Sequence, residues 1–329
     1  MAAVPARRGR PRSSRSIRPV RSRLAPSPTG ALHVGNVRTF LLNWLHVRSA
    51  GGTLVLRIDD LDGPRVKRDA TEEMLHDLGW LGLDWDEAQR VLVQSARASN
   101  YDAAARHLLD GGLAYPCVCT RSEVESAASA PHGPDGARYP GTCRGRWSSL
   151  EEAVRATGRP AALRFAAPVG PVAFEDLLFG PQAYDPSLET GDFVVKKSNG
   201  TAAYQLATVV DDAATGIDLV MRGDDLLPST ARQILLQRAL GLPTPSYLHL
   251  PLVIGPDGKR LAKRHGDTSV RMLRAEGWTA GALVGRIAST AGLCGRDDTR
   301  SPRDLLGCYD ARRLTRDPVV TDATDFSRP

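Results

Sequence analysis

The segment from residue 21 to residue 62 constrains the fold most. Arg21 to Ala25 reads as a short strand, and Pro26, Ser27, Pro28, Thr29 and Gly30 follow as a breaker-rich loop. From about Gly35 to Ala50, Val37, Phe40, Leu41, Trp44, Leu45 and Val47 share one broad helical face. Gly51 and Gly52 stop that helix. Thr53 to Ile58 is a second strand, and it runs out into Asp59, Asp60 and Asp62. Strand, loop, helix and strand make a βαβ unit, and such units build parallel sheets. The expected class is therefore α/β.

The remaining pattern extends this reading. Residues 68–82 and 97–113 are amphipathic helices, and 160–180 read as short strands and turns. Phe193 to Lys197 and Ala203 to Val210 read as strand-like. Ser229 to Leu240 is predicted to be a helix capped by Ser229 or Thr230 and stopped by Gly241. Leu250 to Ile254 reads as a strand leading into the turn Pro256, Asp257, Gly258. The 329 residues suit about two domains.

Charge narrows the partners. Residues 1–23 carry eight Arg and no acid; without them, 35 basic side chains face 37 acidic ones. The body is near neutral, so a nucleic-acid partner has to be met by a local patch. The first 20 residues lack the apolar side chains of a core and read as a disordered Arg-rich tail, with a basic RNA arm or a transit peptide as alternatives. No run reaches the roughly 18 apolar residues of a membrane span. A cytoplasmic protein is expected.

Three features carry chemistry. The first is Ala25-Pro-Ser-Pro-Thr-Gly-Ala-Leu-His-Val-Gly-Asn36, a loop feeding a helix N-terminus. Such a terminus presents free N–H groups and partial positive charge to phosphates. His33 and Asn36 add donors, and Gly35 permits close backbone approach. The second is Lys259-Arg-Leu-Ala-Lys-Arg-His-Gly266, with five basic side chains in seven positions. Such a loop can close over a triphosphate and neutralise developing charge. The third is the cluster Cys117, Cys119 and Cys143. Three thiols in a chain without a secretory signal point to a metal, and a fourth ligand is needed for tetrahedral closure. His132 is the chemical favourite for it.

The first two motifs lie about 225 residues apart on an α/β chain. Together with Arg57-Ile-Asp-Asp-Leu-Asp62, Tyr204-Gln-Leu-Ala-Thr-Val-Val-Asp-Asp212 and Arg222-Gly-Asp-Asp-Leu226, they resemble the class I aminoacyl-tRNA synthetases of the glutamyl/glutaminyl subgroup. The resemblance runs from about Arg21 to Gly266. Cys117-x-Cys119 followed by Tyr139-x-x-x-Cys143 is similar to the zinc site of the glutamyl-queuosine tRNA(Asp) synthetases.

The resemblance implies a Rossmann-like parallel-sheet catalytic domain, split into residues 21–113 and 191–267. A zinc-bearing insert at 114–190 lies between the halves. A short C-terminal helical region, 268–329, leaves no room for an anticodon-binding domain. It implies ATP-dependent, tRNA-independent activation of L-glutamate, with Mg²⁺, and transfer to queuosine in tRNA(Asp). It assigns catalysis to His33 and Lys263, and ATP binding to His33, Gly35, Asn36 and Lys263. Glutamate falls to Arg23, Leu24, Ala25, Pro26, Ser27, Asp59, Tyr204 and Arg222. One structural Zn²⁺ falls to Cys117, Cys119, Tyr139 and Cys143, with His132 still open as the alternative fourth ligand. A monomer is expected. Three positions depart from the family pattern: Asp59 stands for Glu, Arg260 for the first Lys of the basic loop, and Ala262 for its Ser. Two other functions stay open: transfer of glutamate to another acceptor, and a non-catalytic RNA-binding role.

Overall fold

The computed structural model describes residues 19–62, 68–127, 137–259, 261, 268–321 and 323–326. The start of the chain to residue 18, His132 and Lys263 lie outside the described residues.

The chain opens with β1 (Arg21–Leu24), α1 (Val34–Ser49), β2 (Thr53–Ile58), α2 (Arg68–Trp80), β3 (Leu92–Val93) and α3 (Ala98–Asp110). Next come β4 (Ala114–Cys117), α4 (Arg121–Ala127), α5 (Leu150–Thr157), β5 (Ala162–Phe165), β6 (Val172–Asp176) and β7 (Gly180–Tyr184). Then follow α6 (Pro186–Glu189), β8 (Phe193–Lys196), α7 (Tyr204–Ala214), β9 (Leu219–Gly223), α8 (Leu227–Ala239) and β10 (Ser246–Leu250). The last are β11 (Val253–Ile254), α9 (Val270–Ala275), α10 (Ala280–Ser289) and β12 (Val319–Val320). Among the described residues no helix is long and apolar enough to cross a membrane.

The expected parallel sheet is present. β1, β2 and β3 pair in parallel, as do β9, β10 and β6, while β7 runs antiparallel along β6. β1 lies beside β9: the Asp218 N–H donates to the Arg21 carbonyl at 3.0 Å, and Arg23 Nη1 donates to the Met221 carbonyl at 3.3 Å. Two segments almost 200 residues apart thus meet in one layer.

Both faces of this layer are covered, which is why β2 and β9 are largely apolar runs. Leu54, Leu56 and Ile58 of β2, with Leu219 and Met221 of β9, enter one core with α1 and α10. The alternate residues Val55, Val220 and Tyr247 enter a second core with α3, α7 and α8. Gly52 is dictated by the turn into β2, since a Cβ there would lie 2.2 Å from the Val20 carbonyl oxygen.

A second, antiparallel sheet of β4, β5 and β8 carries the cysteine cluster. Hairpin β6–β7 instead joins the main sheet through Tyr247 and Asp176. Pairing in both sheets therefore crosses residue 190.

Local expectations need three corrections. Residues 204–214 form helix α7, not a strand. The β-branched run Thr208, Val209 and Val210 suggests a strand, but tertiary packing overrides that preference. Adjacent Asp211 and Asp212 are both buried and serve different partners about one helical step apart: Asp211 accepts from Gln94, Arg97 and Tyr101, and Asp212 from Arg23 and Arg57. Helix α8 begins at Leu227, with Pro228 in its first turn and no side-chain cap. Ser229 and Thr230 are buried within it. The strand expected over Leu250–Ile254 is broken by Pro251 and Leu252.

Candidate active site

The described structure holds a cavity of about 910 Å³ at the carboxyl ends of β1, β2, β9 and β10. In open α/β sheets this is where ligands bind, because loops diverge there and helix N-termini point inward. The cavity is lined by Arg23, Ala25, Pro26, Ser27, His33, Gly35, Asn36, Asp59, Tyr204 and Arg222, all expected from sequence. Among the described residues expected there, Leu24 is the exception. It is fully buried in the first core, because alternation along β1 turns it away from the cavity that Arg23 lines.

One wall is the start of α1. His33 takes the N-cap position with extended backbone, its side chain makes no cap hydrogen bond to the helix, and the first turn carries no acid. The end therefore keeps its attraction for an anion. Among the described residues a Cβ added to Gly35 would meet only Val253, at an ordinary 3.7 Å, so their packing does not require glycine there, whereas close approach of a ligand would. Lys263 itself lies outside the described residues, but both flanks of its segment reach this wall. The Leu261 N–H donates to the Val253 carbonyl at 3.0 Å, and the Val34 N–H to the Thr268 carbonyl at 3.2 Å.

The floor is an ion network that includes two residues assigned no role from sequence, Arg57 and Asp212. Arg57 Nε donates to Asp59 Oδ1 at 2.6 Å, its Nη2 to Asp59 Oδ2 at 3.2 Å, and its Nη1 to Asp212. Arg23 Nε donates to the same Asp212 oxygen at 3.0 Å. Burial alone would raise the Asp212 pKa, but Arg23 and Arg57 together hold it below the usual carboxylate range. For Asp59 burial wins over Arg57 and Arg23, and its pKa rises. A signal for Arg57 existed: an arginine inside the apolar run Thr53–Ile58 has to find a buried acid.

Arg222 differs in kind from Arg23. It is 6% exposed, and its hydrogen bonds run to Tyr204 Oη, the Leu226 carbonyl, Thr230 Oγ1, Gln233 Oε1 and His249 Nε2. Every one of these partners is neutral. A buried guanidinium held only by neutral acceptors keeps its full attraction for a carboxylate. Tyr204 is 39% exposed and stands beside it at the cavity surface.

The cysteine cluster is a second site. The Sγ atoms of Cys117, Cys119 and Cys143 lie within 4.8 Å of one another. Ligands about 2.3 Å from a tetrahedral zinc stand roughly 3.8 Å apart, so the donor set fits that ion. Tyr139 Oη lies 3.4 Å from Cys117 Sγ and 3.8 Å from Cys119 Sγ, and it accepts the Cys143 N–H at 2.9 Å. The structure thus brings Tyr139 to the thiols. Burial pushes the Cys119 thiol up to about 12 and the Tyr139 phenol higher still. Burial also acts against the Cys143 thiolate, yet bonds from Tyr139 and the Val118 N–H leave that thiol below its ordinary value.

Residues 19–290 match the family described as tRNA synthetases class I (E and Q), catalytic domain. The chain belongs to this family. It is similar to the glutamyl-Q tRNA(Asp) synthetase of Symbiobacterium thermophilum, with 48% identity over 90% of this chain and 94% of that one. The glutamyl-Q tRNA(Asp) synthetase of Nitratidesulfovibrio vulgaris is 44% identical over 94% of this chain and 98% of its own length. A crystal structure of a glutamate tRNA ligase from Elizabethkingia meningosepticum, in complex with its amino acid, superposes with a TM-score of 0.77. It is 27% identical and covers 93% of this chain and 68% of that one. The chain is therefore a ligase-type enzyme of the glutamyl-Q tRNA(Asp) synthetase group, with the class I synthetase fold.

Proposed function

We propose that this synthetase activates L-glutamate with ATP in the absence of tRNA, then transfers the glutamyl group to queuosine in tRNA(Asp). One observation carries the reading. The α1 N-terminus, suited to phosphates, and Arg222, suited to a carboxylate, line the same cavity. Relatives matched over nearly their whole length bear the name of that transfer activity.

In this reading the glutamate α-carboxylate attacks the α-phosphate of ATP, forming an acyl phosphate bond as pyrophosphate leaves. The chemistry needs positioning and charge stabilisation more than a protein base. His33, Gly35 and Asn36 hold the nucleotide, and Mg²⁺ accompanies its phosphates. Lys263 meets charge developing on them. Arg23 and Arg222 receive the carboxylates of glutamate, Ser27 and the backbone near Ala25 and Pro26 its head group, and Asp59 the ammonium. Residues 21–113 and 191–267, with hairpin β6–β7 added to their sheet, act as the two catalytic halves, and the rest of 114–190 as the insert facing RNA. Glutamate-dependent exchange of pyrophosphate into ATP is expected with no RNA present. Exchange that occurs only when tRNA is added would contradict the tRNA-independent step.

Zinc in this reading is structural, held by Cys117, Cys119, Cys143 and Tyr139. Elemental analysis of purified, tag-free protein is expected to find about one zinc per chain, as for closed tetrahedral sites. Tyr139→Phe should lower metal retention, while His132→Ala should not. Chelation should increase amide exchange in residues 114–147 before it weakens ATP binding, since a structural zinc contributes folding energy locally. Protein without zinc, and with all three thiols freely titratable in the native state, would rule the site out.

A further inference from the structure

Asp176, at the end of β6, and His249, in β10, are both fully buried, and neither lines the cavity. Asp176 Oδ1 accepts the N–H groups of Leu178 and Phe179 at 3.0 and 2.9 Å. Its Oδ2 accepts the His249 backbone N–H at 3.0 Å and faces His249 Nδ1 at 2.7 Å. On the far side of the ring, His249 Nε2 lies 3.0 Å from Arg222 Nε.

The chemistry of the two ends fixes the ring. A guanidinium N–H can only donate, so Nε2 must accept. A carboxylate can only accept, so Nδ1 must carry the proton. Both ends demand the same neutral tautomer. Burial, outweighing the nearby Asp176, pulls the His249 pKa down to about 4, so the ring stays neutral at physiological pH. The Tyr247 ring lies nearly parallel to it, with centroids 6.2 Å apart.

This explains a contrast within the cavity. Arg23 is oriented by Asp212, a carboxylate that consumes much of its charge. Arg222 is oriented by a neutral imidazole, and none of its hydrogen-bond partners among the described residues is an acid. We propose that His249, locked by Asp176, is a positioning residue that aims Arg222 at a glutamate carboxylate without neutralising it, and so sets affinity and selectivity for an acidic side chain. The inference rests on the glutamate reading of the cavity. It also ties that pocket to hairpin β6–β7, whose turn is held by the same carboxylate.

The test separates the two ends of the ring. His249→Asn keeps a donor where Nδ1 stands, toward Asp176, and removes the acceptor for Arg222. His249→Gln places its carbonyl oxygen near the Nε2 position and restores that acceptor. Pyrophosphate exchange by the full chain should show KM for glutamate raised roughly tenfold in His249→Asn, the scale of one lost bond to a charged group. KM for ATP, and kcat at saturating glutamate, should stay near wild type. His249→Gln should recover most of the lost affinity. Arg222→Ala is measured in parallel. If it raises KM for glutamate and His249→Asn does not, or if Asn and Gln behave alike, the positioning role is overturned while the pocket stands. If Arg222→Ala also leaves KM unchanged, the glutamate reading falls, and this inference with it.

Discussion

Lys263→Ala is expected to slow glutamate-dependent pyrophosphate exchange by roughly 10²–10³, the scale for loss of one preorganised charge-stabilising donor. Lys263 is the lysine of the basic segment that the family resemblance ties to ATP, while Arg260 and Ala262 depart from its pattern. Residues on both sides of that segment, Leu261 and Ser269, line the cavity. The loss should fall on kcat, because the charge it meets develops in the transition state. Arg260→Ala should cost less. An unchanged rate for Lys263→Ala would remove the basic segment from the mechanism.

Arg222→Ala is the second large effect. It should raise KM for glutamate about 10- to 10²-fold, since a bond to a charged group is worth about 1.5–3 kcal/mol. Arg222→Lys should rescue little, because an ammonium cannot reproduce the planar fork that reaches five acceptors. Arg23→Ala should behave differently. Removing it leaves buried Asp212 with Arg57 alone, so Tm should fall along with glutamate affinity. Thermal unfolding with and without glutamate separates the two variants. Unchanged KM in both would place the amino-acid pocket elsewhere.

What could be read from the sequence was what is local. The first βαβ unit declares itself within 42 residues, and its loop and helix start supply most of the cavity wall. Ala25, Ser27, His33, Gly35 and Asn36 follow one another along the chain, so finding one finds all. The partners of Arg57 and Arg222 are not local. Asp212 lies 155 residues from Arg57, and His249 is 27 residues from Arg222 and 73 from Asp176. No periodicity links such positions, and only the order of strands in the sheet brings them together. Helix α7 was obscured by its β-branched run, whose preference yields to the burial of Asp211 and Asp212. Chemistry alone favours His132 as a fourth metal ligand, and that residue lies outside the described ones; the fold brings Tyr139 to the thiols, and its strand bridge is to Gly191.

The most direct test of the central claim is acceptor identification with labelled glutamate and ATP. Total tRNA is prepared from cells that make queuosine and from cells that do not, and each pool is offered to the enzyme. The account predicts label on tRNA(Asp) from the first pool alone, held at the modified base and released by mild alkali like other esters. Equal labelling of both pools, or glutamate attached to the 3′ end of tRNA(Glu), would contradict it.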